Sequence, residues 1–404
     1  MKEIVTLNNG LDIIYAGHAK STTGCLSINV GHVNEPMLGI ANLFEHVLLL
    51  QTKNITPIFG GTMTAYVANG LDYEDVFQKL SKVFEPHTVV NEAIVEKAKA
   101  EIIKKTKDAA TMNARRIKLS YKHTAFSDSL VTTTEEYLAK ISSYTVEDVR
   151  AFANTYYVGR NIFLSISGYN ITKKERRELG EKYFGSVVEG QSAPKAKVNI
   201  YTGGFEQLDI IGTTTHLRFG WDMSKTDVND SPVINVLMHM FKRRMQRAFA
   251  DLNMPDVQVD VKIAGFYGLR TICAYISSPV YNAEELTKVF IDVVNRLCDT
   301  NASDRRMERS RSDALVEKLN TYDAPDELAI ETAWQVIGRQ KMYDKTNRMQ
   351  EIADTIASDV RDMAARLFRG SRPTYIVGLP QGKPAHYAFD TFANAIGWKC
   401  KPEC

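Results

Sequence analysis

The feature that most constrains the fold is an internal repeat. Thr22 to Gly31 reads as a strand that leads through a short connector, His32 to Met37, into the helical run Gly39 to Leu50. Leu208 to Gly212 and Thr215 to Gly220 read as strands that lead through a polar connector into a helix over Ser231 to Ala250. Further on, Glu308 to Leu319 followed by Tyr322-Asp323-Ala324 parallels Glu96 to Thr106 followed by Lys107-Asp108-Ala109. Ile352 to Leu367 and then Pro373 to Gly378 parallels Ile141 to Tyr156 and then Asn161 to Gly168. Matches in the same order imply two copies of one design. The expected fold class is therefore α+β: two homologous domains, each an antiparallel-rich sheet with helices packed on one face. The segment Val188 to Lys197, with Gly190 and Pro194, reads as the linker, which gives domains at 1–188 and 199–404 with a connector at 189–198.

A chain of 404 residues has ample core for such domains. Its 44% hydrophobic and 24% charged content is that of a soluble globular protein, and a net charge of +2 gives no reason to expect nucleic-acid binding. The start, Met1 to Gly10, lacks an apolar signal core, and no apolar run is long enough to span a membrane, so a cytoplasmic location without membrane insertion is expected. Five cysteines are too few for a disulfide framework. Cys25 and Cys273 read as small buried hydrophobes, and the Cys400–Cys404 tail as a frayed end.

Local signals fill in the rest. Asn8-Asn9-Gly10 marks a hairpin turn, Thr145 to Asp148 is a capping box opening a helix, and Pro57 with Gly60-Gly61 breaks the chain before a strand at Thr62 to Ala68. Lys242-Arg243-Arg244 with Arg247 reads as a solvated helix face, with contact to an acidic partner as the alternative. No P-loop, dinucleotide-binding glycine fingerprint or G-x-S-x-G elbow is present.

The chemistry concentrates in Gly39 to Thr52, where the polar residues are Asn42, Glu45 and His46. Residues four apart share a helix face, so Asn42 and His46 project together with Glu45 beside them. That is the layout of the inverted zinc motif H-x-x-E-H, with Asn42 in place of the first histidine. A carboxamide replaces a good nitrogen ligand with a weak oxygen one.

These residues resemble the M16 (pitrilysin, or insulinase) metallopeptidase family in its two-domain form, similar to the mitochondrial processing peptidase subunits. Gly31, Glu35, Gly39-Ile40-Ala41, Glu45-His46 and Thr52 fall on its G…E…G-[IL]-A-H-x-x-E-H…G-T pattern. Gly60-Gly61 with Ala65 and the run Ile141 to Gly168 fall on two further signatures. The resemblance implies the LuxS/MPP-like metallohydrolase fold. It places His46 at the second zinc-ligand position, Glu45 at the general base, Glu101 at the third ligand and Asn42 at the degenerate first. It also places Ala250 and Val257 where the family has a substrate-gripping Arg and Tyr, and it implies loss of most of the strand after Ala65. Two good ligands and a weak third hold zinc poorly. The expected role is a non-catalytic subunit without zinc of its own. Its partner would be a related M16 chain with an intact H-x-x-E-H motif that carries the zinc, and the pair would process peptides or leader segments. The alternatives are a structural or peptide-binding protein without a protease partner, and an active zinc metalloendopeptidase using Asn42, His46 and Glu101.

Overall fold

The computed structural model describes residues 4–85, 90–127, 132–194, 200–227, 229–266, 269–339, 344–381 and 389–398. Cys400, Cys404 and positions 195–198 of the expected linker lie outside them. The first half carries β1 (Ile4–Thr6), β2 (Asp12–His18), β3 (Thr22–Ile28), α1 (Ile40–Leu49), β4 (Thr56–Phe59), β5 (Thr64–Gly70), α2 (Tyr73–Ser81) and α3 (Glu92–Ala110). It continues with α4 (Asn113–Ala125), β6 (Phe126–Ser127), α5 (Thr134–Ser143), α6 (Val146–Tyr156), β7 (Ile162–Gly168) and α7 (Lys173–Phe184). Then follow β8 (Ile200–Tyr201), β9 (Gly204–Ile210), β10 (Thr215–Asp222), α8 (Ser231–Asp251), β11 (Gln258–Phe266), β12 (Leu269–Ser278) and α9 (Ala283–Asp299). The chain ends with α10 (Asp304–Asp323), α11 (Pro325–Arg339), α12 (Lys345–Ala353), α13 (Ala357–Gly370), β13 (Thr374–Pro380) and α14 (Phe389–Ala395).

The repeat is visible in the strand order. One large sheet runs β1-β2-β7-β3-β5-β4 and a second β11-β12-β10-β13-β9, with β6 and β8 forming a separate two-stranded ribbon. Read in the opposite direction, the second matches the first without β1. Each has a single parallel pair in the matching place, β2 with β7 and β9 with β13, and is otherwise antiparallel.

Two expectations about the first sheet are corrected. The strand after Ala65 is not lost: β5 runs to Gly70 and pairs with β3 from Thr64 opposite Ile28 to Gly70 opposite Thr22. The break expected at Pro57 is instead the edge strand β4, where Pro57 pairs opposite Tyr66. An edge strand tolerates proline because only one side of it joins the ladder.

The chain divides into two compact units, each drawing on both halves of the sequence. The first comprises Met1–Asp108, Thr132–Lys197 and Lys318–Asp344; the second comprises Ala109–Val131, Val198–Glu317 and Lys345–Cys404. In the first unit the inward residues of the sheet, such as Leu26, Tyr66 and Leu164, join α1, α2, α3, α6 and α7 in one core. The opposite face, with Ile14, Cys25, Val67 and Phe163, is covered by α11 through Ala329 and Ala333. Alternation along each strand makes both faces apolar, so both must be covered. The Ser165 hydroxyl donates to the Ala329 carbonyl and that of Ser167 to the Pro325 carbonyl, pinning the helix at its N-terminal end.

The second unit repeats this arrangement. Leu217, Phe219 and Trp221 pack with α8, α9 and α13, while α4 lies on the other face against β9, β10 and β13. The approach is close because β10 has Gly220 there: an added Cβ would sit 2.1 Å from the Tyr121 hydroxyl and 2.5 Å from its ring. Tyr121 is fully buried and has no room to yield. Gly220→Ala should lower stability by roughly 2–3 kcal/mol, read from the urea midpoint, and Tyr121→Leu added to it should recover part of the loss. An unchanged midpoint for the single variant would refute this packing.

Candidate functional site

Helix α1 begins on a backbone turn that only glycine adopts readily. Gly39, its N-cap, has φ of +81° and offers no side chain to the first-turn N–H groups. Glu35 takes that role from the preceding loop, one carboxylate oxygen accepting from Gly39 N at 2.6 Å and the other from Ala41 N at 2.9 Å. The Tyr144 hydroxyl donates to the Leu38 carbonyl at 2.6 Å and closes the turn from outside. Burial pushes the Glu35 carboxyl up to about 7 despite the two backbone donors.

The anchored helix buries Leu43, Phe44, Val47 and Leu48, as its spacing predicts, and also buries Glu45. Glu45 is only 6% exposed, and its Oε2 has no hydrogen-bond partner among the described residues. Burial raises its carboxyl to about 7, against a smaller lowering by Lys105. A carboxyl at that value is about half protonated at neutral pH.

Asn42 and His46 do share a face, and the Asn42 amide nitrogen and both ring nitrogens of His46 have partners within the protein. The Asn42 amide donates to the Tyr137 hydroxyl at 2.6 Å. His46 Nδ1 lies 3.0 Å from the Asn42 carbonyl and its Nε2 lies 3.3 Å from Lys105 Nζ. One arrangement satisfies both contacts: Nδ1 carries the proton and donates to the carbonyl, and Nε2 accepts from the ammonium. Burial, aided by Lys105, outweighs the Asn42 carbonyl and Glu101 and lowers the His46 pKa, so the ring is neutral at pH 7.

Neutral Nε2 is the atom through which His46 would bind a metal, and a positive charge already faces it. Glu101 lies one turn before Lys105 on α3 and acts on His46 as a nearby negative charge. Among the described residues, no three His, Cys, Asp or Glu side chains are grouped so as to hold a metal ion. The donor set does not fit the zinc that the H-x-x-E-H pattern serves.

Ala250 lies at the end of α8, exposed, and Val257 lies just before β11, packed against the second unit's core. Neither side chain offers a polar group. The basic run on α8 is partly paired nearby, Arg243 with Asp313 and Arg247 with Asp251. Lys105 and Tyr137 were not singled out from sequence. Lys105 had a signal, standing four residues after Glu101 on one helix face; Tyr137 comes from α5 and had none.

The first helix thus carries a buried Glu45 beside a half-buried His46, after the strands β1 to β3. Residues 143–313 match the family model described as "Peptidase M16 inactive domain". A chain of Complex III2 from Candida albicans, in its Inz-5-bound form, superposes with a TM-score of 0.85 at 13% identity, covering 98% of this chain and 100% of that one. A protease from Helicobacter pylori gives 0.82 at 16% identity, with 94% and 100% covered. A peptidase M16 inactive domain from Pseudomonas fluorescens gives 0.80 at 9% identity, with 95% and 99% covered. No curated protein matches the chain. Residues 143–313 thus match an M16 inactive domain, and the whole chain shares its fold with these structures, in line with the M16 resemblance of its motifs.

The two raised carboxyls have a consequence for stability. A carboxyl whose pKa is higher in the folded than in the unfolded chain makes the folded state bind more protons, so stability is greatest at low pH. It falls as pH rises from about 4.5 to about 7. Glu45→Gln should remove part of that fall, on the order of 1–3 kcal/mol between pH 5 and 8. Glu35 remains and keeps the rest. A slope identical to that of the parent chain in thermal melts across this range would contradict the burial of Glu45.

Proposed function

We propose that this chain is the non-catalytic subunit of a heterodimeric M16-type zinc peptidase in the cytoplasm. It forms half of a peptide-binding chamber and assists a related partner that keeps the intact H-x-x-E-H motif and its zinc. The observation that carries the proposal is the Lys105 ammonium 3.3 Å from His46 Nε2. The Asn42 amide nitrogen is bound to Tyr137, so what this position turns toward a metal is at best a weak amide oxygen. A base needs a positioned, polarised water to act on, and in this reading Glu45 and His46 persist as parts of the α1 packing. The match to the inactive-type domain supports the same reading.

A structural role without a protease partner is the second reading, supported by the likeness to a chain of Complex III2. Co-purification decides between them: an M16 chain with an intact motif should accompany this one in stoichiometric amount under the first reading.

Two measurements test the absence of chemistry. After dialysis against zinc, the purified chain should hold less than about 0.1 zinc per molecule and cleave no peptide, whereas Asn42→His with Lys105→Ala should raise zinc content several-fold. Stoichiometric zinc with cleavage in the parent chain would overturn the proposal. In the reconstituted pair, Glu45→Gln should leave cleavage within about twofold, and a loss of a hundredfold or more would show acid–base work by this chain.

A further inference from the structure

The second unit contains a cavity lined in part by cationic side chains. Helix α4 places Arg115, Lys118 and Lys122 at i, i+3 and i+7, on one face. Beside it lies a cavity of about 440 Å³, lined by Lys118, by Arg218 of β10, by Val259, Asp260 and Lys262 of β11, and by Tyr275 of β12. Arg218 is 8% exposed, with its guanidinium over the Tyr121 ring at 4.6 Å and its Nε without a hydrogen-bond partner among the described residues.

Counter-charge is scarce. Asp260 is held by Lys262 at 2.7 Å. Among the described residues, no acidic side chain pairs with Arg115, Lys118 or Arg218. Burial first, then repulsion from Lys118, Arg115 and Arg218, pushes Lys122 down to about 8. Partial desolvation of its ammonium, followed by the charges of Arg115, Arg218 and Lys262, lowers Lys118 as well, although its side chain reaches the surface. Stacking on Tyr121 explains why Arg218 tolerates burial, but it leaves Nε unsatisfied and places more positive charge around it. A buried cation without a partner is costly, and an anion entering the cavity would offset that cost.

We propose that this cavity is a carboxylate-recognition site that takes a glutamate or aspartate side chain of an extended peptide. The inference rests on the peptide-binding reading above and names the peptide chemistry preferred. The volume of about 440 Å³ has room for an acidic side chain of a peptide. Val259 and the Tyr275 ring provide an apolar wall for a methylene stem, and Arg218 with Lys118 provides donors for the carboxylate. Asp260 in the wall disfavours a dense dianion such as a phosphoryl group. β11 is the edge strand of its sheet, so backbone groups that can pair with an extended peptide lie beside the cavity.

The test uses the purified full chain and three dye-labelled peptides that differ only in carrying Glu, Gln or Lys at alternate positions. Fluorescence anisotropy at low ionic strength should show the Glu peptide bound at least about tenfold more tightly than the Gln peptide. Arg218→Gln and Lys118→Gln should each cut that preference by at least about threefold and leave Gln-peptide affinity unchanged. Lys118 is exposed, so its variant reports even where replacement of buried Arg218 impairs folding. Equal binding of the three peptides, or a preference that survives Lys118→Gln, would overturn the inference and leave the peptide-binding reading intact. Failure of all three to bind would remove that reading and this inference with it.

Discussion

Both faces of the first unit's sheet are apolar, and that constraint sets most of what surrounds it. A strand that alternates Leu26 inward with Cys25 outward, both fully buried, cannot leave either side in water. The helical layer satisfies one side. The other is met by one helix, α11, as α4 meets one face of the second unit's sheet; each approaches closely because the contacting residues are small: Ala329 and Ala333 in one unit, Gly220 and Gly378 in the other. Hydroxyl contacts from Ser165 and Ser167 add direction to apolar packing that otherwise has little.

The polar residues of α1 and of its entry loop form a connected set of interactions. Asn42 is matched to Tyr137, His46 to Lys105 and to the Asn42 backbone, and Glu35 to the start of the helix. Such a set fixes these side chains in place. Glu45 is the exception, with a buried oxygen still unpaired. An ionisable group kept in that condition is a destabilising element at neutral pH.

The fold was legible where the signal is periodic or repeated. The α1 stripe, the Thr145 capping box and the parallel order of elements in the two halves all follow from residue spacing. In the structure Thr145 accepts from Asp148 N at 3.2 Å, as the box requires. Strand β4 was hidden because Pro57 argues against a strand unless its edge position is already known. The covering role of α11 was hidden for another reason: its buried alanines read as an ordinary helix stripe, and nothing local tells which sheet they meet. The candidate site was legible as a constellation on α1. The contacts that define its state come from α3 and α5, whose approach to α1 is set by tertiary packing.

The way each unit is completed bears on the order in which the chain matures during synthesis. Among the described residues, the face of the first sheet that bears Ile14, Cys25 and Phe163 is covered by α11, which leaves the ribosome after most of the chain has been made. Until then an apolar surface of a largely assembled sheet stays open, a condition that favours chaperone capture and mispairing. Termination anywhere before Pro325 would leave that face uncovered permanently, so truncated products should be cleared by quality control rather than accumulate as half-molecules.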